Sequence, residues 1–165
     1  MILAGVSGSG KTTVGRLLAE RLGWPFADGD SFHPAANVAK MTAGIPLTDD
    51  DRWPWLAAIG AWMDARIAAG GSGVVACSAL KRRYRDVLRQ GRPEVRLVFL
   101  DVSHDEDLAR LRARSGHFFP AALMDSQFAD LEPPVPAEGA LVLPAGSPDE
   151  LVSAIISGLG LIAPG

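Results

Sequence analysis

The chain has one cysteine, Cys77, in 165 residues, so no internal disulfide can form and stability must come from a packed core. Cys77 sits in the apolar run "GVVACSAL", where a buried, inert thiol is expected rather than a nucleophile. The three histidines, His33, His104 and His117, are scattered and none has a second histidine or cysteine at zinc spacing, so no structural zinc is expected. No apolar run approaches the ~20 residues that cross a bilayer. Met1 leads directly into the glycine loop without a signal-peptide pattern, so a cytoplasmic address and no membrane partner are expected. Positive charge is not in excess: the net charge of −3 argues against nucleic acid as a partner. The only asparagine, Asn37, precedes Val38, and no Asp-x-x-Gly occurs. The guanine-reading and switch elements of a regulatory GTPase are therefore missing. There are no internal repeats, and the one biased stretch, "EPPVPAEG" at 132–139, reads as a loop.

What is present is an ordinary globular composition, 48% hydrophobic and 21% charged, read as a single domain over 1–165. "ILA" is a short first strand. Val14, Leu17, Leu18 and Leu22 then recur at helical spacing until Gly23. "WPFAD" is a second strand, and Pro34 opens a helix that runs to Gly44. A long helix follows, with Asp49 to Asp51 at its positive end, Pro54 in its first turn and Gly70 as its stop. "GVVACS" and "EVRLVFLDV" are further strands, separated by a helix from about Lys81 to Gln90. A helix from about Asp105 to Arg114 comes next, then one bearing Leu123, Met124, Phe128 and Leu131, the strand "ALVLPAG", and a last helix opened by Pro148. Strands separated by helices imply an α/β fold with a parallel sheet covered on both faces. Ligands of such sheets bind at the C-terminal ends of the strands.

The chemistry-bearing residues follow the strands. "GVSGSGKTTVG" carries Gly5, Gly10, Lys11 and Thr12 in the G-x-x-x-x-G-K-[ST] pattern, after a strand and before a helix. Its backbone N–H groups wrap phosphates, its lysine neutralises the transferring group and its threonine offers a hydroxyl to Mg²⁺. The expected nucleotide contacts are Gly5, Ser7, Gly8, Ser9, Gly10, Lys11, Thr12 and Thr13. With no GTPase elements, ATP and catalysis are expected. After the second strand, "DGDSFHP" puts Asp28 and Asp30 two apart, able to serve hydrated Mg²⁺ and a hydroxyl proton from one turn. Asp28 is assigned to the metal and Asp30 to the proton, with the reverse assignment open and an Asx-type turn as the plain alternative. Arg52, at the start of a long helix, opposes the helix dipole, which suggests a task beyond the helix. Ser78 and Lys81 stand after the third strand. Arg82, Arg85, Arg89 and Arg92 follow helical spacing and read as a solvated face. Arg110, Arg112 and Arg114, followed by "SGHFFP", look like a lid over the phosphates at roughly 112–122, with Phe118 and Phe119 as core residues the alternative.

"GVSGSGKTT", "DGDSFHPAANVAKMTAGIPLTDDDRWPWL", "CSALKRRYRDVLR" and "RARSGHFFPAALMDSQFADLE" together resemble the gluconokinases of the P-loop small-molecule kinases, relatives of shikimate and adenylate kinases. The likeness runs from Gly5 to about Glu132, and only the first block is generic. The resemblance implies a five-stranded parallel sheet of order 2-3-1-4-5, phosphorylation of D-gluconate at its 6-hydroxyl by MgATP, and a homodimer. It departs in the first strand, since family members have several more residues before the loop. Relatives place backbone against adenine near 141–151. A small polyhydroxylated anion needs cations and short polar groups, here Arg52 and Lys81 with Asp30, His33, Ser78 and His117. Lys11, Asp30 and Arg114 are expected at the transferring group, with Arg110 and Arg114 on ATP. Rival readings are a kinase of another hydroxylated acid such as shikimate and a silent nucleotide-binding module. The latter should lack one of Lys11, Thr12 or Asp30, and all three are present.

Overall fold

A computed structural model describes residues 1–113 and 121–164. Arg114, His117, Phe118, Phe119 and most of the expected lid lie outside the described residues. The elements, in order, are β1 (Ile2–Ala4), α1 (Lys11–Leu22), β2 (Phe26–Asp28), α2 (Ala35–Thr42), α3 (Asp49–Ala68), β3 (Val74–Ala76), α4 (Arg82–Arg89), β4 (Leu97–Asp101), α5 (His104–Ala113), α6 (Ala121–Asp130), β5 (Leu141–Pro144) and α7 (Pro148–Leu159). The five strands form one parallel sheet in the order β2-β3-β1-β4-β5. Leu3 pairs with Ala76 on one side and Val98 on the other, which makes β1 the central strand.

Alternation along each strand divides the core. Ile2, Ala4, Val75, Leu97 and Phe99 face Trp55, Leu56, Ile59 and Met63 of α3 and Tyr84 and Leu88 of α4. Leu3, Val74, Val98 and Leu100 face Val14 and Leu18 of α1 and Leu151, Val152 and Ile155 of α7. Each fully buried Leu or Ile stabilises by about 1.5–3 kcal/mol, so both faces of the three-residue β1 matter despite its brevity.

Local chemistry sets the ends of the helices. Gly23, Gly44 and Gly70 have positive φ at or just beyond helix C-termini, the conformation that glycine adopts without penalty. Thr48 caps α3 through a reciprocal box with Asp51. Since α3 begins at Asp49, Pro54 lies in its second turn rather than its first. The carbonyl it leaves without an amide partner belongs to Asp50, which is exposed and can be hydrated. Ser103 and Glu106 form a similar box and start α5 at His104, one residue before the expected Asp105.

The basic stripe of α4 is not a solvated face. Arg85 is 1% exposed and donates to both carboxylate oxygens of Glu138, at 2.7 and 3.1 Å, and to the carbonyls of Ala79 and Leu80, each at 3.0 Å. Arg89 donates to the Glu138 carbonyl at 2.5 Å, and Arg92 forms a two-pronged pair with Asp64 at 2.6 and 2.7 Å. Arg82 alone of the four keeps an exposed side chain. The stretch 132–139, read as a plain loop, thus carries Glu138 in a 3-10 turn as a core counter-ion.

Candidate active site

The loop between β1 and α1 turns through Gly5, Gly8 and Gly10, whose φ values are +148°, +85° and +98°. A Cβ on Gly8 would lie 2.3 Å from Asp107 Oδ1, so the tight path excludes any side chain there. Ser9 is 1% exposed and its hydroxyl has no partner among the described residues. Lys11 reaches back across the loop, Nζ donating to the Val6 carbonyl at 2.7 Å. Burial lowers the ammonium pKa, opposed by the carboxylates of Asp30, Asp107 and Asp28. From α5, Arg110 Nη1 donates to the Ser9 carbonyl at 3.1 Å, which brings this arginine onto the loop. Arg112 is exposed.

In front of the loop lies a polar cavity of about 690 Å³, lined by Lys11, Thr12, Thr13, Asp28 and Asp30 among others. The turn after β2 aims both carboxylates into it. Asp28 Oδ1 accepts the Asp30 N–H at 3.0 Å, and Ser31 Oγ donates to the Asp28 carbonyl at 2.6 Å. The Asx-type turn is present, and it is the turn that places both acids on this cavity, facing the loop. Gly29 between them is needed for close approach: a Cβ there would lie 2.3 Å from the Ala76 carbonyl. Trp55 Nε1 donates to the Gly29 carbonyl at 2.7 Å and fixes the turn to α3.

A second cavity of about 400 Å³ opens beside the first and is lined by His33, Arg52, Trp55, Ser78, Leu123 and Gln127, among others. Ser7, Lys11 and Asp30 line both. His33 stacks on Trp55, centroids 4.3 Å apart and planes at 13°. Asn37 Nδ2 donates to the Asp51 carbonyl at 2.8 Å, which fixes its amide orientation, and stands 3.2 Å from His33 Nδ1. Nδ1 is thereby the acceptor and Nε2 carries the ring proton, an assignment made from this network. Burial lowers the His33 pKa, with Asp30 raising it and Arg52 lowering it further. Arg52 donates through Nη1 to Tyr84 Oη at 2.8 Å and to Asp130 at 3.2 Å. Lys81 lines neither cavity; its ammonium stands 3.5 Å from Asp130 and 3.6 Å from Asp49. The structure thus brings Arg52 and Lys81 to one carboxylate, with Arg52 nearer the opening.

A third hollow, about 280 Å³, runs along the outer side of the loop, bounded by Val14, Arg110, Gly146, Pro148 and Leu151. Ala79, just after Ser78, has φ +41°, a strained value for a residue with a Cβ; the turn it makes leaves Ser78 on the cavity wall, its carbonyl accepting the Gly5 N–H at 3.3 Å. Sequence reasoning missed Trp55, Asn37, Tyr84, Gln127 and Asp130. One signal existed for the last two: Leu123, Gln127 and Asp130 lie at i, i+4 and i+7 on one helix face. Cys77 is buried, and burial pushes its thiol up to about 12, so it is inert as expected.

A glycine loop with its lysine at the C-terminal end of the central strand, opening onto a second cavity through a shared carboxylate, defines a P-loop small-molecule kinase. The shikimate kinase family model matches residues 7–129. A gluconokinase of Gluconobacter oxydans is 52% identical over 81% of this chain and 75% of its own length. A crystal structure of a gluconokinase from Sinorhizobium meliloti superimposes with a TM-score of 0.87 at 45% identity, covering 98% of this chain and 91% of that one. An unliganded sugar kinase from a Janibacter species gives a TM-score of 0.91 at 47% identity, covering 97% and 93%. The chain belongs to the gluconokinase family.

Proposed function

We propose that the protein transfers the γ-phosphoryl group of ATP to the 6-hydroxyl of D-gluconate, giving 6-phosphogluconate and ADP. The observation that carries this reading is the common wall of the two cavities: Ser7, Lys11 and Asp30 belong to both, so a nucleotide in one presents its terminal phosphate to a hydroxyl in the other. In the proposed step the hydroxyl oxygen bonds to phosphorus as the bond to the ADP oxygen breaks, and Asp30 receives the hydroxyl proton. Lys11 leaves the Val6 carbonyl for the phosphate oxygens, where its charge counts most as the bond breaks. Ser9, with its hydroxyl unsatisfied inside the loop, gains a partner when phosphate binds.

Mg²⁺ is the expected companion of the nucleotide. The donors suit it: Thr12 hydroxyl and Asp28 carboxylate are hard oxygen ligands on the phosphate cavity. No cluster of three His, Cys, Asp or Glu exists among the described residues, in keeping with an ion held largely by phosphates and water. When bound, the ion neutralises phosphate charge. Arg52 takes the gluconate carboxylate, His33 and Ser78 its hydroxyls, and Lys81 acts on Arg52 through Asp130. The adenosine lies along the hollow beside Gly146 and Pro148. Among the described residues no helix is long and apolar enough to cross a membrane; a homodimer in the cytoplasm completes the proposal.

The test is ADP release with MgATP across gluconate, other sugar acids, polyols, shikimate and nucleoside monophosphates. Gluconate should give the highest kcat/KM. A preference for shikimate, or no acceptor-dependent turnover, would overturn the reading.

A further inference from the structure

Among the described residues, Gln127 forms the one polar link between α6 and the phosphate loop: its Oε1 accepts the Ser7 N–H at 2.7 Å, across 120 residues of sequence. A backbone N–H can only donate, so the oxygen must face the loop and the orientation of the carboxamide is settled. No hydrogen bond among the described residues engages its amide nitrogen, and Gln127 lines the acceptor cavity together with Lys11, Asp30 and Ser78. Ser7 belongs to both cavities, so this carboxamide stands at their junction, where the phosphoryl group and the attacking hydroxyl meet.

On a cavity wall shared with Asp30, a carboxamide has a particular value. It donates hydrogen bonds at any physiological pH, yet cannot compete for the proton that the carboxylate must take. From the same helix Asp130 meets Arg52, another residue of the cavity wall, at 3.2 Å. One helix thus carries both Gln127 on the cavity wall and the carboxylate that holds Arg52.

We infer that Gln127 positions the reacting end of the acceptor: its amide N–H groups donate to the hydroxyl adjacent to the one that attacks, while its oxygen keeps that contact in register with the phosphate loop. On the gluconate reading, on which this rests, the adjacent group is the C5 hydroxyl. Holding the carbon next to the reacting one limits the attacking oxygen to the orientation that faces phosphorus, which is where a misplacement of about 1 Å costs ~100-fold.

The experiment is a substrate–enzyme cycle in the full-length protein: wild type and Gln127→Met, each with gluconate and 5-deoxygluconate. Wild type should prefer gluconate by about 10-fold or more in kcat/KM. In Gln127→Met that preference should fall to within about 3-fold, with the ATP KM changed less than about 3-fold. A residue that only ties α6 to the loop would lower both substrates alike and keep the ratio, and that result overturns the inference. If Gln127→Met does not fold, Gln127→Asn, which keeps the carboxamide but withdraws it by one methylene, must show the same narrowing. If wild type prefers a different acceptor, the functional reading fails by itself, and the cycle is run with that acceptor and its analogue lacking the neighbouring hydroxyl.

Discussion

Asp130 holds Arg52 through a single guanidinium nitrogen, Nη1, at 3.2 Å, and the same nitrogen donates to Tyr84. Among the described residues no hydrogen bond engages the Nε–Nη2 edge. That edge is the two-donor fork that matches a carboxylate. Arg52→Met should therefore cost gluconate ~1.5–3 kcal/mol, roughly 10- to 150-fold in kcat/KM. Glucitol, which has an alcohol in place of the carboxylate, should lose far less, and the ATP KM should stay nearly constant. Equal losses for the two substrates would move Arg52 to the phosphoryl group.

On the proposed reading, Lys11 and Asp30, which line both cavities, divide the chemistry at their common wall. Lys11→Met should fold and lose at least ~100-fold in kcat, the scale expected for removing one preorganised donor. Asp30→Asn should lower kcat by about 100-fold or more while the Kd for ATP, measured by calorimetry, changes little. Loss of ATP affinity with kcat intact would exchange the roles of Asp28 and Asp30.

The pH dependence of stability carries the mark of His33. Burial lowers its pKa in the folded state from the ordinary 6.5, so the unfolded chain binds the proton more readily. Its contribution is complete above pH 6.5 and is lost as the pH falls through the lowered folded value. Protonation would also place an N–H against the Asn37 amide. Asp49 and Asp51, both held down to about 2 by their hydrogen-bond partners, act in a lower window, from 3.8 downward. Urea unfolding at intervals from pH 7.5 to 4.5 should show wild type weakening below about 6.5, with a shallower slope in His33→Gln. Parallel curves would refute the assignment.

Arg85 and Glu138 form a pair in which neither member can be lost alone. Arg85→Met leaves a buried carboxylate and should destabilise by ~3–5 kcal/mol in urea unfolding. Adding Glu138→Leu should restore much of that loss. A double variant as unstable as the single one would mean that the carbonyl contacts of Arg85 at Ala79 and Leu80, rather than its charge, hold the turn.

The parts of this molecule legible in its sequence are those written in short windows. The phosphate loop, the Asp28–Asp30 turn and the glycine stops at Gly23, Gly44 and Gly70 each depend on neighbours within a few positions. The start of the long helix marked Arg52 and the end of the third strand marked Ser78 and Lys81; Arg52 and Ser78 line one cavity, and Lys81 does not. What escaped is non-local. Arg85 shares its spacing with solvated arginines, and only Glu138, 53 residues away, makes it a core residue. Gln127 reads as one more polar position on a helix until Ser7, 120 residues distant, is brought to it. Pro54 is a different case, because the Thr48–Asp51 box that starts α3 at Asp49 and so puts Pro54 in the second turn is itself local.

On the proposed reading, the two faces of the sheet serve different ligands. Val14 and Leu151, which bound the hollow proposed for adenosine, belong to the core layer of α1 and α7; Trp55, which walls the acceptor cavity, belongs to the layer of α3 and α4. Among the described residues, the loop after β1 and the start of α1 border both hollows, through Ser7 and Lys11 on one and Gly8, Ser9 and Gly10 on the other. Substitutions that reshape the acceptor can accumulate in one half of the molecule while the other goes on handling the same nucleotide, which makes such a chain a ready starting point for new phosphoryl acceptors.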